Sequence, residues 1–326
     1  MEQSRIDALA ARIDNRQMAE INGLVVVRNG YVILEKYANG GSAAQVHEMQ
    51  SVTKSVTSLL MGIAVDQGKV TSVDNKALGY FPDYAFQNLD QRKRDITISH
   101  LLTMTSGLNF YEQPYPGSPL QQLNDSRDDW LRIIFDQPMN AVPGDQWQYN
   151  SGGVISLGAV IDEATGLVAD QFARQYLFDP IGVGTTYWFK GSPNGLPHMG
   201  GGLGLRATDL ARIGYLVLRK GMWGDRRVVS ETWLRESTGH HVRNPRTFGS
   251  HPTDYGYLWW LLPLDNRSGG DWDTDIITAS GAKGQWLLII PKYDIVVAAT
   301  SNAAGFTGYM DPVEAVYSYI IPAVQD

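Results

Sequence analysis

Between residues 52 and 64 the apolar positions Val52, Val56, Leu59, Leu60, Ile63 and Ala64 recur at helical spacing, and Gly68 stands where a left-handed C-terminal cap is expected. The pattern predicts an amphipathic helix opened by Ser51-Val52-Thr53-Lys54. Nearer the N-terminus, a mixed-charge stretch over residues 4–20 reads as a surface helix. It gives way to Leu24-Val25-Val26-Val27 and Tyr31-Val32-Ile33-Leu34 around Asn29-Gly30. Asn-Gly favours the positive φ values of a two-residue hairpin turn, so two antiparallel strands are expected there. The other end looks alike: apolar runs at 286–290 and 295–299 flank Pro291-Lys292-Tyr293-Asp294, and residues 313–321 read as a closing helix. Between the ends the periodicity is helical, at 98–102, 130–135, 154–164 before Gly166, and 210–218 before Gly221.

The economical arrangement is an α+β fold, with an antiparallel sheet built from both chain ends, flanking helices, and a mostly helical lobe. The sheet lobe would take about 1–60 and 250–326 and the helical lobe about 61–249, the whole chain of 1–326 forming one catalytic unit. A cleft between the lobes would hold the site.

Composition narrows the functions. The chain has 326 residues, 43% of them hydrophobic, enough for a large core. Its 27 Lys plus Arg against 34 Asp plus Glu give a formal charge of −7 without a basic stretch, which argues against a nucleic-acid partner. No cysteine is present, so disulfides, thiolate metal sites and a cysteine nucleophile are excluded. The six histidines, at 47, 100, 198, 240, 241 and 251, lack the tight spacing of a zinc site, and neither a metal nor a cofactor is expected. No apolar run approaches membrane-spanning length. Met1-Glu2-Gln3-Ser4-Arg5-Ile6 has neither the basic region nor the apolar stretch of a secretory signal, so the default location is cytoplasmic. A periplasmic or secreted chain whose signal had been removed would start the same way.

Candidate chemistry centres on the tetrad. Residues three apart on a helix can meet, so Ser51 and Lys54 share a face at the end where free N–H groups favour a developing negative charge. A helix-opening serine is also an ordinary N-cap. Acyl transfer by serine needs a base, a group to tune it, and donors for the oxyanion. Trp147-Gln148-Tyr149-Asn150-Ser151-Gly152-Gly153 follows a Pro143-Gly144-Asp145 turn and precedes a helix, which makes Tyr149 the candidate base. Ala279-Ser280-Gly281-Ala282-Lys283-Gly284-Gln285 runs into an apolar strand, where small residues let a substrate approach the strand edge.

The order of these three segments resembles the serine β-lactamase and penicillin-binding protein superfamily, specifically its class C-like branch of family VIII esterases and 6-aminohexanoate-oligomer hydrolases. Supporting stretches are Ile96-Thr97-Ile98-Ser99-His100-Leu101-Leu102, Leu177-Phe178-Asp179-Pro180-Ile181-Gly182 and Gly200-Gly201-Gly202-Leu203-Gly204-Leu205-Arg206-Ala207-Thr208. The resemblance covers nearly the whole chain and implies a β-lactamase-like fold. It also implies Ser51 as nucleophile, Lys54 as its electrostatic partner, Tyr149 as general base, and the N–H groups of Ser51 and Ala282 as oxyanion hole. Protonated Lys54 would stabilise a Tyr149 phenolate; neutral Lys54 as base is the alternative. Two departures stand out. Ser151 occupies the place of the family's asparagine after the tyrosine, and Ala279 that of the lysine opening its K-T-G motif, leaving Ser280-Gly281 as the remainder.

The pattern G-x-G-x-x-A at Gly202-Leu203-Gly204-Leu205-Arg206-Ala207 is not preceded directly by a strand and so fails as a dinucleotide site. The resemblance makes it a cleft-lining loop, with Thr208 as the cap of the helix that follows. Ser151, Ser280, Gly281, His198 and Trp188 are the expected substrate contacts, and Tyr111 and Tyr115 candidate lid residues. The expected function is a serine hydrolase forming an acyl-enzyme on small-molecule esters or amides. Alternatives are a β-lactamase or D-alanyl-peptidase, disfavoured by Ala279, and a binding relative that does not turn over. The sequence leaves the oligomeric state open.

Overall fold

The structure, a computed structural model, describes residues 1–18, 20–264, 272, 275–303 and 311–324. Eight strands form an antiparallel sheet: β1 (Ile21–Arg28), β2 (Tyr31–Tyr37), β3 (Val242–Phe248), β4 (His251–Tyr255), β5 (Trp260–Pro263), β6 (Asp275–Gly281), β7 (Gln285–Ile290) and β8 (Ile295–Ser301), in the order β2-β1-β8-β7-β6-β5-β4-β3. The two hairpins read from the sequence are both present. Asn29 and Gly30 take φ of 51° and 80°, as their turn requires. β1 and β8, from opposite chain ends, lie side by side with Val26 opposite Val297. Their burial on both faces explains why they are continuous aliphatic runs and not alternating ones.

One face of the sheet carries the helix Ala207–Leu218, which packs on β1, β7 and β8. A side chain at Gly214 would strike Val296 and Leu287, so the bare backbone sets that spacing. The terminal helix Gln3–Asp14 meets the closing segment, where one turn at Pro312–Ala315 continues into a π-turn at Val316–Ile320. The helix Val52–Asp66 packs against both β6 and the helix Ser151–Thr165, and so lies where sheet and helical region meet.

Two expectations need correction. β3 begins at Val242 and belongs to the sheet, so the residues just before 250 join the sheet lobe, and Ala207–Leu218 likewise packs on the sheet instead of in the helical region. The cap of that helix is also not Thr208. Arg206 holds the N-cap position, and buried Asp209 in the first turn accepts from Arg206 Nε at 2.6 Å. No side chain caps this helix, and the acidic Asp209 in its first turn, held by Arg206, is favourable to the helix dipole.

At the far end of Ser151–Thr165, Asp162 accepts from the Ala169 amide at 2.6 Å and joins two helices. Burial, with the nearby Asp170 and Glu163 carboxylates, pushes its carboxyl up from 3.8 to about 7. The folded state therefore favours the neutral acid. That contribution is complete below pH 3.8 and is lost as pH rises through about 7. Asp162→Asn keeps an acceptor for Ala169 and removes the charge. It is expected to raise the melting temperature at pH 8 by a few degrees, roughly the response of a large domain to 1–2 kcal/mol. Thermal melts at pH 4 should show no such gain.

Candidate active site

Ser51 occupies the N-cap position of Val52–Asp66, yet its side chain makes no capping bond. Its Oγ instead accepts from Lys54 Nζ at 2.9 Å. The ordinary reading of a helix-opening serine is thereby set aside on geometry. Ser51 follows a short strand, His47–Glu48, that pairs with Leu203–Leu205, and the intervening Gln50 has φ of 49°. This left-handed step turns the chain from strand into helix.

Lys54 is 1% exposed, and among the described residues no carboxylate is paired with it. Its ammonium donates to Ser51 Oγ and, at 2.6 Å, to the carbonyl of Gly200, and it lies 4.7 Å from the centroid of the Tyr149 ring. Two charge-assisted hydrogen bonds, worth about 1.5–3 kcal/mol each, and a desolvated cation–π contact of about 2 kcal/mol offset the loss of water from a buried ammonium. Three segments far apart in sequence converge on it.

The glycine loop that supplies the Gly200 carbonyl is pinned by the same helix. Thr57 Oγ1 donates to Met199 O at 2.9 Å, and Thr53 Oγ1 accepts from Leu203 N at 3.3 Å. These buried threonines lie on a helix whose apolar periodicity drew attention away from them. Gly200 packs on Ser151: an added Cβ would lie 3.0 Å from Ser151 Cβ and from its carbonyl oxygen. Ser151 thus stands beside the loop that holds Lys54.

Tyr149 precedes the helix Ser151–Thr165, where Asn150 is the N-cap and accepts from Gly153 N at 2.8 Å. The Tyr149 ring stacks on Trp260 of β5, with centroids 6.1 Å apart and planes 16° apart, and is tilted against Trp147. Trp147 and Trp260 in turn meet Tyr255 edge-on. Sheet aromatics therefore hold the ring from one side. Trp259, Trp260 and Trp286 are buried and serve as packing, whereas Trp147 and Tyr149 are only partly buried.

β6 ends at Gly281, whose Cβ, if present, would sit 2.3 Å from Met49 O and 3.1 Å from Gln50 Cβ. The end of β6 thus abuts the backbone that leads into Ser51, and Ala282 follows directly. Ser280 pairs with Trp286 of β7 and is half-buried. Ala279 is 1% exposed. Lys283 is paired with Glu48 at 3.2 Å on the surface.

Two further expected substrate contacts, His198 and Trp188, are packed around the glycine loop and its short strand. His198 is 7% exposed, edge-on to Trp130 and beside Phe189, and its carbonyl accepts from Gly201 and Gly202. Burial and the Lys54 charge bring it down to about 4, so it is a neutral scaffold for the loop. Trp188 lies on a short strand paired with Leu203 and borders a recess of about 580 Å³ with Asp170, Arg174 and Thr186, which Ser51 does not line. Sequence reading also passed over Glu112, whose carboxylate accepts from the Ser151 amide and ties the loop of Tyr111 and Tyr115 to the helix N-terminus. Acid at a helix N-terminus is favourable, but nothing in the spacing of residues 112 and 151 announces the contact.

This arrangement has relatives. A match to the β-lactamase family spans residues 7–315. The chain belongs to that family. Within the β-lactamase family it resembles the 6-aminohexanoate-dimer hydrolase of Paenarthrobacter ureafaciens, 25% identical over 317 residues that cover 91% of this chain and 78% of that protein. Esterase EstB of Burkholderia gladioli is 27% identical over 200 residues, 54% of this chain and 50% of that protein. A family VIII carboxylesterase of known structure superposes with a TM-score of 0.75 at 16% identity, covering 99% of this chain and 97% of that one. That likeness establishes the shared β-lactamase fold. Among the described residues, no single helix is long and apolar enough to cross a membrane.

Gly281 is the tightest point of this geometry, because backbone and not a flexible side chain opposes any added atom. Gly281→Ala in this β-lactamase-family chain should therefore lower stability by about 1–3 kcal/mol through overpacking. Urea unfolding should show a lower midpoint with an unchanged slope.

Proposed function

We propose that the protein is a serine hydrolase that cleaves small-molecule esters or amides through an acyl-enzyme on Ser51. The observation that carries this reading is a serine at a helix N-terminus whose hydroxyl is committed to a buried lysine and not to capping. A surface cap serine has no need of such a partner, and a buried lysine placed only for packing has no need of a serine.

The steps balance as follows. Ser51 Oγ attacks the substrate carbonyl while the Tyr149 phenolate, stabilised by the Lys54 ammonium, takes the hydroxyl proton. The negative charge that develops on the carbonyl oxygen is met by the amides of Ser51 and Ala282. Collapse of the tetrahedral species breaks the bond to the leaving alcohol or amine, which receives the proton from Tyr149. Water then enters, gives its proton to Tyr149, attacks the acyl carbon, and the proton returns to Ser51 as the acid departs. One phenol serves both halves.

Ala279 favours an ester or amide over a β-lactam. In place of the lysine that the family's motif implies, β6 carries the buried Ala279, and Lys283 is engaged with Glu48. The β-lactam carboxylate loses the partner that the family's lysine motif implies. The relatives named 6-aminohexanoate-dimer hydrolase and esterase support the same ranking.

A panel of p-nitrophenyl esters, linear amides and nitrocefin tests the proposal. The wild type should hydrolyse esters or amides and turn nitrocefin over poorly. Ser51→Ala should abolish turnover without lowering the melting temperature, and activity persisting in that variant would defeat the nucleophile. Tyr149→Phe should lower kcat by about 10²–10⁴-fold, the range for loss of a general base. A Tyr149→Phe enzyme with an unaltered pH–rate profile would instead transfer the base role to neutral Lys54.

A further inference from the structure

Ala279 leaves the candidate site without the cation its strand would have carried, and Lys283 is ion-paired with Glu48 at 3.2 Å. A different strand places one beside the same ring. Arg246 of the edge strand β3 lies with its guanidinium carbon 5.6 Å from the centroid of Tyr149 and 5.8 Å from that of Trp260. With the two rings 6.1 Å apart, the three groups form a nearly equilateral triangle. The Arg246 backbone is fixed, since its carbonyl accepts from Thr253 Oγ1 at 2.7 Å across the β3–β4 pair, while the side chain is exposed. Among the described residues no carboxylate is paired with it, although Arg243 on the same strand is paired with Asp254. A guanidinium stacked on aromatic faces keeps its donor edge free for a planar, bidentate anion.

We propose that Arg246 is a specificity-determining residue that binds a carboxylate on the leaving group of the substrate. The side follows from the proposed mechanism, on which this inference rests. Tyr149 returns its proton to the departing alcohol or amine, so that part of the substrate lies against the ring that Arg246 also touches. The favoured substrates are then esters or amides whose alcohol or amine half carries an acid group. Moving the cation from β6 to β3 also places the anion farther from the strand edge than a residue at position 279 would. The site therefore suits an extended leaving group and not the compact bicycle of a β-lactam.

The test compares 3-acetoxybenzoate with its methyl ester, which share the acyl group and differ in one charge on the leaving side. For the wild type the ratio of kcat/KM, acid over methyl ester, is expected to exceed tenfold. Arg246→Ala should bring that ratio close to one, and Arg246→Lys should retain part of it because charge survives and the bidentate fork does not. Calorimetric titration of Ser51→Ala with 3-hydroxybenzoate and with methyl 3-hydroxybenzoate gives a readout without turnover. Tighter binding of the acid should be lost in the Ser51→Ala, Arg246→Ala protein. An unchanged kcat/KM ratio in Arg246→Ala, or equal binding of acid and methyl ester before and after the change, overturns the proposal. If Ser51→Ala still hydrolyses both esters, the nucleophile reading falls, and the binding contrast alone decides Arg246.

Discussion

The buried ammonium of Lys54 is the constraint around which the site is organised. A charged group removed from water needs acceptors at fixed distances. The acceptors here are Ser51 Oγ and the Gly200 carbonyl, with the Tyr149 ring completing the surroundings. None of these positions can drift without leaving the charge unsatisfied. The requirement therefore runs outward, to Thr53 and Thr57, which pin the glycine loop, and to the Trp260 stack, which holds the tyrosine. The electrostatic need of one side chain thus aligns a helix, a loop and the sheet at a single point.

Elements whose character is local were legible in the sequence. Asn29-Gly30 dictates its hairpin through backbone preference, and the spacing of Val52, Val56, Leu59 and Ile63 dictates a helix through one-sided burial. The union of the two chain ends into one sheet was also readable, because β1, β7 and β8 each carry an unbroken apolar run, Leu24–Val27, Trp286–Ile290 and Ile295–Ala299, that is satisfied by burial on both faces. Ser51, Lys54 and Tyr149, which the structure brings together, were named as candidates through a resemblance that joins three distant segments. Local physics accounts for the Ser51–Lys54 pair, which lies one helical turn apart, but not for the arrival of Tyr149.

What escaped the sequence shares a cause: each contact joins segments whose approach is set by tertiary packing. Glu112 reaches Ser151 from a loop, Gly200 offers a carbonyl common to every residue type, and Arg246 projects from an edge strand that the sequence reading assigned to the other lobe. His198 and Trp188 show the packing that sequence neighbourhood alone does not predict. Both lie in sequence near the glycine loop, but a buried ring against Trp130 and a strand partner for Leu203 were the stronger demands. Thr208 lies inside the helix that begins at Ala207, so it does not stand at the cap position, and the first turn carries the Arg206–Asp209 pair instead.

The two departures from the family pattern affect different things. Replacing an asparagine by Ser151 removes an amide beside Lys54, yet the ammonium is already matched by the Gly200 carbonyl, so the change alters reach toward substrate more than the state of the lysine. Replacing a lysine by Ala279 acts farther out. A cation at that position would lie within a few ångströms of the strand edge and of Gly281, where backbone contacts already leave no room for a Cβ. With a buried methyl there instead, β6 offers no cation at that position, and besides Lys54 the cation beside the Tyr149 ring among the described residues is Arg246 on β3. Charge that would have oriented a substrate along β6 is thus displaced across the aromatic wall formed by Tyr149 and Trp260. An anion seated there must span the width of that wall, so the geometry selects by length as well as by charge.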